Sequence, residues 1–585
     1  MKTTLQHYLR QAVQQLCDTG KLPAQAKEAP IQVERARDPK FGDYASNIAM
    51  ILAKSCQQNP KLIAEELVSA LDTISNVHTV SVAAPGFINF GVEDAFFHSK
   101  MAEIIAQKEA YGQIDYGRGE KVHIEIVSAN PTGPLHVGHG RLAAYSASLA
   151  NVLAAAGFKV HREYYVNDAG RQMRILATSV WLRYLEIMGE GVPFPGRGYK
   201  GSYIIDIART LQEDYGDQFF QSAAMVFADV PPDDEAHEEA HIDALIERAE
   251  MLLDKSNFKL VFDRAMNSIL DDIREDLSEF GVICEEWFLE SKLLETGDID
   301  EGIERLKKGD YLYEKDNAMW FRSTTFGDEK DRVVVRENGQ PTYFASDIGY
   351  HLNKLERGFD HLVDVYGADH HGYIARLNGL LQALGDDPKK LNVLLVQFAI
   401  LYRGKTKVSM STRGGEFVTL RELREEVGND AARFFYIMRK REQHLDFDLE
   451  LAKSESNDNP VYYIQYAHAR VCSIFRQLAQ KNMAWDQAQG EASLALLIHP
   501  HEKALSRQLA RFPECIEMAA VANEPAVVAT YLHELANGFH SYYNAHVFLV
   551  EEEEVRNARL YLVEATRQVL RNGLTLLGLS VPEVM

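Results

Sequence analysis

Cysteine is scarce in this chain: five residues in 585 (Cys17, Cys56, Cys284, Cys472, Cys515), never as a C-x-x-C pair. That scarcity excludes a disulfide framework and a zinc ribbon, and it predicts reduced thiols in the cytoplasm. Long apolar runs are missing too, since none reaches the roughly 20 residues that a bilayer span needs. Residues 1–8 lack the apolar stretch of a signal peptide. Excess positive charge is also absent: 62 Lys and Arg face 85 Asp and Glu, a formal net charge of −23. This excludes a nonspecific nucleic-acid coat protein, but RNA binding through one basic face stays open. No Ser/His/Asp or Cys/His arrangement stands out, which argues against a covalent nucleophile. What is there is an ordinary globular composition, 46% hydrophobic and 25% charged, over a length that predicts three or four domains.

The most informative stretch is residues 122–141. Residues 122–127 are almost continuously apolar and β-branched, as in a strand buried on both faces. Leu142, Tyr145, Leu149, Val152 and Ala156 then recur at helical spacing, with Gly157 as a C-cap. The turn between them holds two prolines, three glycines and two histidines, and residues 158–166 read as a second strand. A tight turn opening onto a helix N-terminus within a β-α-β unit is where phosphate binds in open α/β sheets. After the second strand, Asn167-Asp168-Ala169-Gly170 leads into a helix over 173–188, with Asp168 as its N-cap.

The remaining chain divides around this unit. Residues 1–112 read as an α+β module and 113–450 as a Rossmann-type parallel-sheet domain. Within that domain, about 190–285 is an acidic insertion with a solvated face. The sheet then resumes through 287–291, 318–321, 332–335, 361–366 and one apolar strand over 391–401. The basic Ser/Gly-rich loop at 405–415 follows a sheet strand and is a candidate for phosphate contact. Residues 451–585 read as all-helical. There Arg556, Arg559, Arg567 and Arg571 interleave with aliphatics and are expected to face water. The Asp369-His370-His371 cluster lacks a further metal-ligand set, and no protein-ligated metal is expected.

The segment Ala129-Asn130-Pro131-Thr132-Gly133-Pro134-Leu135-His136-Val137-Gly138-His139 resembles the HIGH signature of class I aminoacyl-tRNA synthetases. With Gly42-Asp43-Tyr44, Gly86-Phe87-Ile88-Asn89, residues 165–170, 367–372, 418–423 and 459–467, and Leu574-Thr575-Leu576-Leu577-Gly578-Leu579, the whole chain resembles the arginyl-tRNA synthetases. The resemblance implies activation of L-arginine by ATP with Mg2+, releasing diphosphate. Transfer to the 3′ end of tRNA(Arg) then releases AMP. It implies His136, Gly138, His139 and Met410 at ATP, and Glu125, Asn130, Glu290, Tyr343 and Asp347 at arginine. The KMSK signature departs from pattern, with Ser409-Met410-Ser411-Thr412 where two lysines would stand; Lys407 and Arg413 are expected to supply that charge. The N-terminal module is expected to touch the tRNA elbow through Asp43, Tyr44 and Asn47. The C-terminal helices are expected to bind the anticodon, with Tyr462, Tyr466 and Arg470 as contacts. Guanidinium recognition by buried carboxylates predicts no editing domain, and a monomer is expected. The alternatives are another class I or HIGH-type nucleotidyltransferase, or a catalytically dead RNA-binding paralogue.

Overall fold

Five strands pair in parallel at the centre of the molecule: β1 (Lys121–Glu125), β2 (Lys159–Val166), β3 (Glu286–Leu289), β4 (His361–Gly367) and β5 (Leu391–Val396). Their order is β5-β4-β1-β2-β3, so the chain winds one way from β1 to β3 and crosses back for β4. Val122, Ile124, Leu362, Val363 and Val365 are buried, as β-branched and aliphatic residues must be in a sheet covered on both faces. Reversal of strand order beside β1 opens a crevice at the carboxyl ends of β1 and β4, the ligand position of such sheets. The computed structural model describes residues 1–36, 38–408 and 418–585.

The helices that serve this crevice are α1 (Val137–Ala155), α2 (Arg171–Ile187), α3 (Glu238–Glu279), α4 (Tyr343–Glu356) and α5 (Leu420–Val427). α3 belongs to the expected insertion and packs along α2. It is two helical stretches joined at Asp254, whose φ of 57° and ψ of 169° break the spiral.

Two strand readings need correction. Leu312–Lys315, Ala318–Phe321 and Arg332–Val335 do not resume the parallel sheet; they form a separate antiparallel one. The apolar run 391–401 is likewise two strands. β5 ends at Val396, and Ala399–Arg403 pairs instead with Thr406–Lys407 and Leu445–Asp448. The break is at Gln397, whose N–H donates to the Arg441 carbonyl and whose carbonyl accepts from Arg141. Hydrophobicity alone carries no sign of that diversion.

The chain divides into two compact units. The parallel sheet belongs to the one made of Gly112–Cys472, Phe512–Asn537 and Leu570–Met585. The other comprises Met1–Tyr111, Ser473–Arg511 and Gly538–Val569. Its antiparallel sheet runs Val33–Arg35, Tyr44–Ser46, Phe87–Val92, Val77–Ala83, and Leu5, Leu9, Ile48, Leu52, Ile63 and Phe90 form its core. Gly42 is required there: at φ +93°, a Cβ would lie 2.6 Å from the Phe90 carbonyl oxygen. In the same unit Arg556 and Arg559 do not face water. Both are 8% exposed: Arg559 Nε meets Glu502 at 2.9 Å, and Arg556 donates to the Val550 and Glu551 carbonyls. Their guanidiniums satisfy buried acceptors, which periodicity cannot foresee. No helix among the described residues is long and apolar enough to cross a membrane.

Candidate active site

The turn after β1 begins with backbone strain. Val127 (φ 61°) and Ser128 (φ 48°) are both left-handed, and for a β-branched valine this is a true outlier. It is held by Ser128 Oγ accepting from the Tyr165 N–H (3.0 Å) and by Tyr164 OH donating to the Ala129 carbonyl (2.8 Å). The kink releases the chain from the sheet so that Asn130 is exposed over α2, where its Nδ2 donates to Gln172 at 3.0 Å.

His136 and His139 cap α1 reciprocally. His136 Nδ1 accepts from the Gly138 N–H at 3.1 Å, His139 Nδ1 accepts from the His136 N–H at 3.4 Å, and the rings stack at 3.7 Å. Both Nδ1 atoms being acceptors, both imidazoles carry their proton on Nε2. Burial lowers the basicity of both, and the neighbouring His136 helps take His139 to about 3. They are neutral N–H donors at the positive end of a helix, an arrangement suited to phosphate oxygens. Gly138 is fixed by closeness, since a Cβ there would lie 2.8 Å from the His136 ring. Arg141, one turn on, is buried and donates to the carbonyls of Gln397, Tyr436, Lys440 and Gln443 at 2.7–3.3 Å, locking α1 against the neighbouring strand ends.

The acids lie beside this turn. On α4, Tyr343, Ser346, Asp347, Tyr350, His351 and Lys354 recur every three or four residues and share one face. Lys354 Nζ bridges Glu125 of β1 and Asp364 of β4, each at 2.8 Å, with all three buried, and His351 adds a contact to Asp364 at 3.0 Å. The acid inside an apolar strand therefore has a built-in partner, Lys354, and does not depend on substrate for one. Glu290 and Asp347 differ. Glu290 Oε1 accepts from Ser346 Oγ at 2.6 Å, while its Oε2 is buried without a hydrogen-bond partner. Burial raises its carboxyl, and the nearby Asp168 charge raises it further. Asp347 is pushed up to about 6 by burial and by Glu125 and Glu290. Glu290, Asp347 and Glu125 all act on the Tyr165 hydroxyl, so the structure brings the three acids together. Tyr343 is half exposed at the start of α4, its hydroxyl over Gly170. Asp168 is not the cap of its own helix. It accepts from Ser291 N and Oγ (2.8 and 2.5 Å), capping the short helix that begins at Glu290.

One further group of His and carboxylates lies close enough to share a cation: His161, Glu163 and Glu286. Arg357 holds that position, at 2.6 Å from Glu163, 2.9 Å from Glu286 and 3.0 Å from His161. Lys407 is exposed on the short strand Thr406–Lys407; Met410 and Arg413 lie outside the described residues. Two residues escaped the sequence reading. Lys354 was legible in the spacing of α4. Phe398 was not, because the apolar run hid the break after β5; it is 46% exposed and its ring lies near Gly138 and Gly367.

The tRNA candidates divide as well. Asp43 is committed to the fold, accepting from Arg507 at 2.7 Å and from the Val92 N–H at 2.8 Å, and the Tyr44 ring is buried under Arg35. Those two side chains do not present themselves to a ligand, because internal contacts use them. Asn47 does: its Oδ1 is buried without a partner in a cavity of about 510 Å³ lined by Phe41, Phe87, Asn89 and Gln32. On the helix Pro460–Gln480, Tyr462 and Tyr466 stack at 5.8 Å, and Arg470 lies over the Tyr466 ring at 4.5 Å.

Three family models match this chain: the arginyl tRNA synthetase N terminal domain over residues 3–92, the class I (R) tRNA synthetase catalytic domain over 100–188 and 214–456, and the DALR anticodon binding domain over 464–585. Arginine--tRNA ligase of Thioalkalivibrio sulfidiphilus is 56% identical, and that of Coxiella burnetii (strain RSA 331 / Henzerling II) 54%, each over the full length of both chains. The Thermus thermophilus arginyl-tRNA synthetase structure aligns over 99% of this chain and all of its own, with a TM-score of 0.75; at 23% identity this likeness speaks to the fold.

Proposed function

Because this chain belongs to the arginyl-tRNA synthetases, enzymes that charge tRNA with arginine, we propose that both small substrates meet at the strained turn after β1. The observation that carries this reading is the pairing of opposite chemistries across one turn: two histidine N–H donors on one side, and on the other two carboxylates that make no ion pair among the described residues. ATP, arriving as its Mg2+ complex, lies along the His136–His139 cap, with adenine stacked on Phe398 where Gly138 lets the backbone approach. The guanidinium of arginine lies against Asp347 and Glu290, with Glu125, Asn130 and Tyr343 around its backbone end. A planar cation with five donors satisfies two carboxylates in a way a lysine ammonium does not.

The reaction then needs positioning more than chemistry by the protein. A carboxylate oxygen of arginine attacks the α-phosphorus in line, the bond to the bridging oxygen breaks, and diphosphate leaves with its electrons. The histidine N–H groups and the positive end of α1 offset charge on the phosphoryl oxygens. Lys407 is the described basic residue that would meet the diphosphate; Met410 and Arg413, expected to act with it, lie outside the described residues. In the second step a terminal hydroxyl of tRNA attacks the arginyl carbonyl and AMP departs. For tRNA, the cavity with Phe41, Phe87 and Asn47 suits an unstacked base held between rings and amides, and the Tyr462, Tyr466, Arg470 stripe suits loop bases and phosphates. The enzyme works as a cytoplasmic monomer.

The test is ATP–diphosphate exchange with arginine and tRNA present. Alanine at His136 or His139 is expected to lower kcat about a hundredfold or more, and alanine at Phe398 to raise KM for ATP about tenfold, the value of one stacked base. Exchange unchanged in the histidine variants overturns the ATP assignment.

A further inference from the structure

We propose that Asp276, on the insertion helix α3, is a positioning residue for the ATP side of the active site, acting through the arginines of α5 on the histidine turn. The link is a chain of direct bonds within one compact unit. Asp276 Oδ1 receives Arg421 Nε and Arg424 Nη2, each at 3.0 Å. Asp276 and Arg424 are 1% and 8% exposed, so this is an interior ion pair and not a surface one. Asp272 and Glu279, one turn to either side on α3, take the remaining arms: Asp272 meets Arg421 at 2.9 Å and Glu279 meets Arg424 at 2.5 Å. Arg421 and Arg424 are three residues apart on α5 and so reach α3 from one face, while three carboxylates at a spacing of three or four reach back.

The N-terminal end of α5, which also carries Arg421, passes the effect to the site. The Leu420 N–H donates to the Leu135 carbonyl at 2.8 Å, and the Val137 N–H donates to the Val418 carbonyl at 3.2 Å. These two main-chain bonds bracket His136, which also forms an isolated β-bridge with Thr419. Thr419 and Glu422 close a capping box, so the first turn of α5 is a rigid continuation of that bridge. Leu420 also fills the space beside Gly140, where a Cβ would come within 2.9 Å of it. A shift of α5 along α3 is therefore a shift of Leu135, His136 and Val137. The acidic helix inserted between β2 and β3 is, on this reading, the post that sets the height of the phosphate-facing histidines. Glu290 and Asp347 have no bond to this chain.

The inference rests on the histidine turn being the ATP site, which the His136 and His139 variants test separately. Exchange kinetics of Asp276→Asn, with tRNA present, are expected to show KM for ATP raised about tenfold or more, because a displacement near 1 Å is costly at a reacting centre. KM for arginine is expected to move less than about twofold. Asp276→Glu keeps the charge and recovers most of the loss, whereas Asp271→Asn, on an exposed part of α3, changes nothing. Should Asp276→Asn fail to fold in a thermal melt, the more exposed pair serves: Asp272→Asn and Arg421→Gln each raise KM for ATP, and Arg421→Lys, which keeps the charge, recovers most of the loss. The proposal is overturned if KM for ATP stays within about twofold in all of these variants while His136→Ala impairs exchange, or if KM for arginine rises in step with KM for ATP.

Discussion

Glu163, inside β2, and Glu290, the residue that follows β3, are both buried, and they meet opposite fates. Glu163 is held by Arg357 at 2.6 Å and by Tyr350 OH donating at 2.7 Å, with His123 lying 3.0 Å away. Its carboxyl is held well below the usual range, and burial leaves the adjoining His123 neutral, lowered to about 4. Asp364 is likewise held down by Lys354 and His351. Glu290 and Asp347 make no ion pair among the described residues; burial drives both upward, against the pull of His351 and Arg376 on Asp347. The lesson is that buried acids in this sheet come in two kinds. Those with a built-in cation hold the fold, and those without one are where the proposed function places the substrate's guanidinium.

Breaking the first kind is expected to have the largest effect. Lys354→Met strands Glu125 and Asp364 together in the interior and should cost about 3–5 kcal/mol of stability, read as a fall in the denaturant midpoint. A loss below about 1 kcal/mol would place Lys354 among the dispensable pairs. Removing the second kind should do the reverse to the fold. Asp347→Asn is expected to cut kcat/KM for arginine by about 2–5 kcal/mol, the value of truncating one side of a desolvated charge pair. It should at the same time raise the melting temperature at pH 7. The sign follows from the raised carboxyl: between about pH 4 and 6 the folded state holds more protons than the unfolded one, so stability falls as pH rises through that window. The stabilisation by Asn should accordingly vanish below pH 4; a stability loss at pH 7 would mean Asp347 is structural after all.

The smallest effect sharpens the comparison without a mutation. Protonating Asp347 removes half of the guanidinium's partners, so kcat/KM for arginine should fall as pH drops below about 6. His139, lowered to about 3, adds no limb of its own in this range, and burial lowers His136 in the same direction. A pH profile for arginine that is flat down to pH 5 would separate Asp347 from the substrate.

Much of this site could be read from residue order. The histidine turn was legible because its glycines, histidines and flanking strand and helix are contiguous; the left-handed kink at Val127 was not, because residues 126 and 127 read as a continuation of the strand that ends at Glu125. Glu290 and Asp347 were legible only by likeness to a family, since each stands in its own segment with no local mark. The partners of Asp43 and Tyr44 were not legible: the side chains meet Arg507, Val92 and Arg35, while Asn47 lines the cavity. The split of residues 391–401 went unseen because a run of apolar residues looks the same whether it feeds one sheet or two.

The sequence by itself determined the β-α-β unit around the histidine turn, because its two strands and its helix follow from periodicity and turn chemistry along a few consecutive residues. Only the tertiary structure decided which buried charges are already paired. Lys354 lies 229 residues from Glu125, and Arg424 lies 148 from Asp276. Charge pairing depends on distances of about 3 Å in space, on which separation along the chain has no bearing.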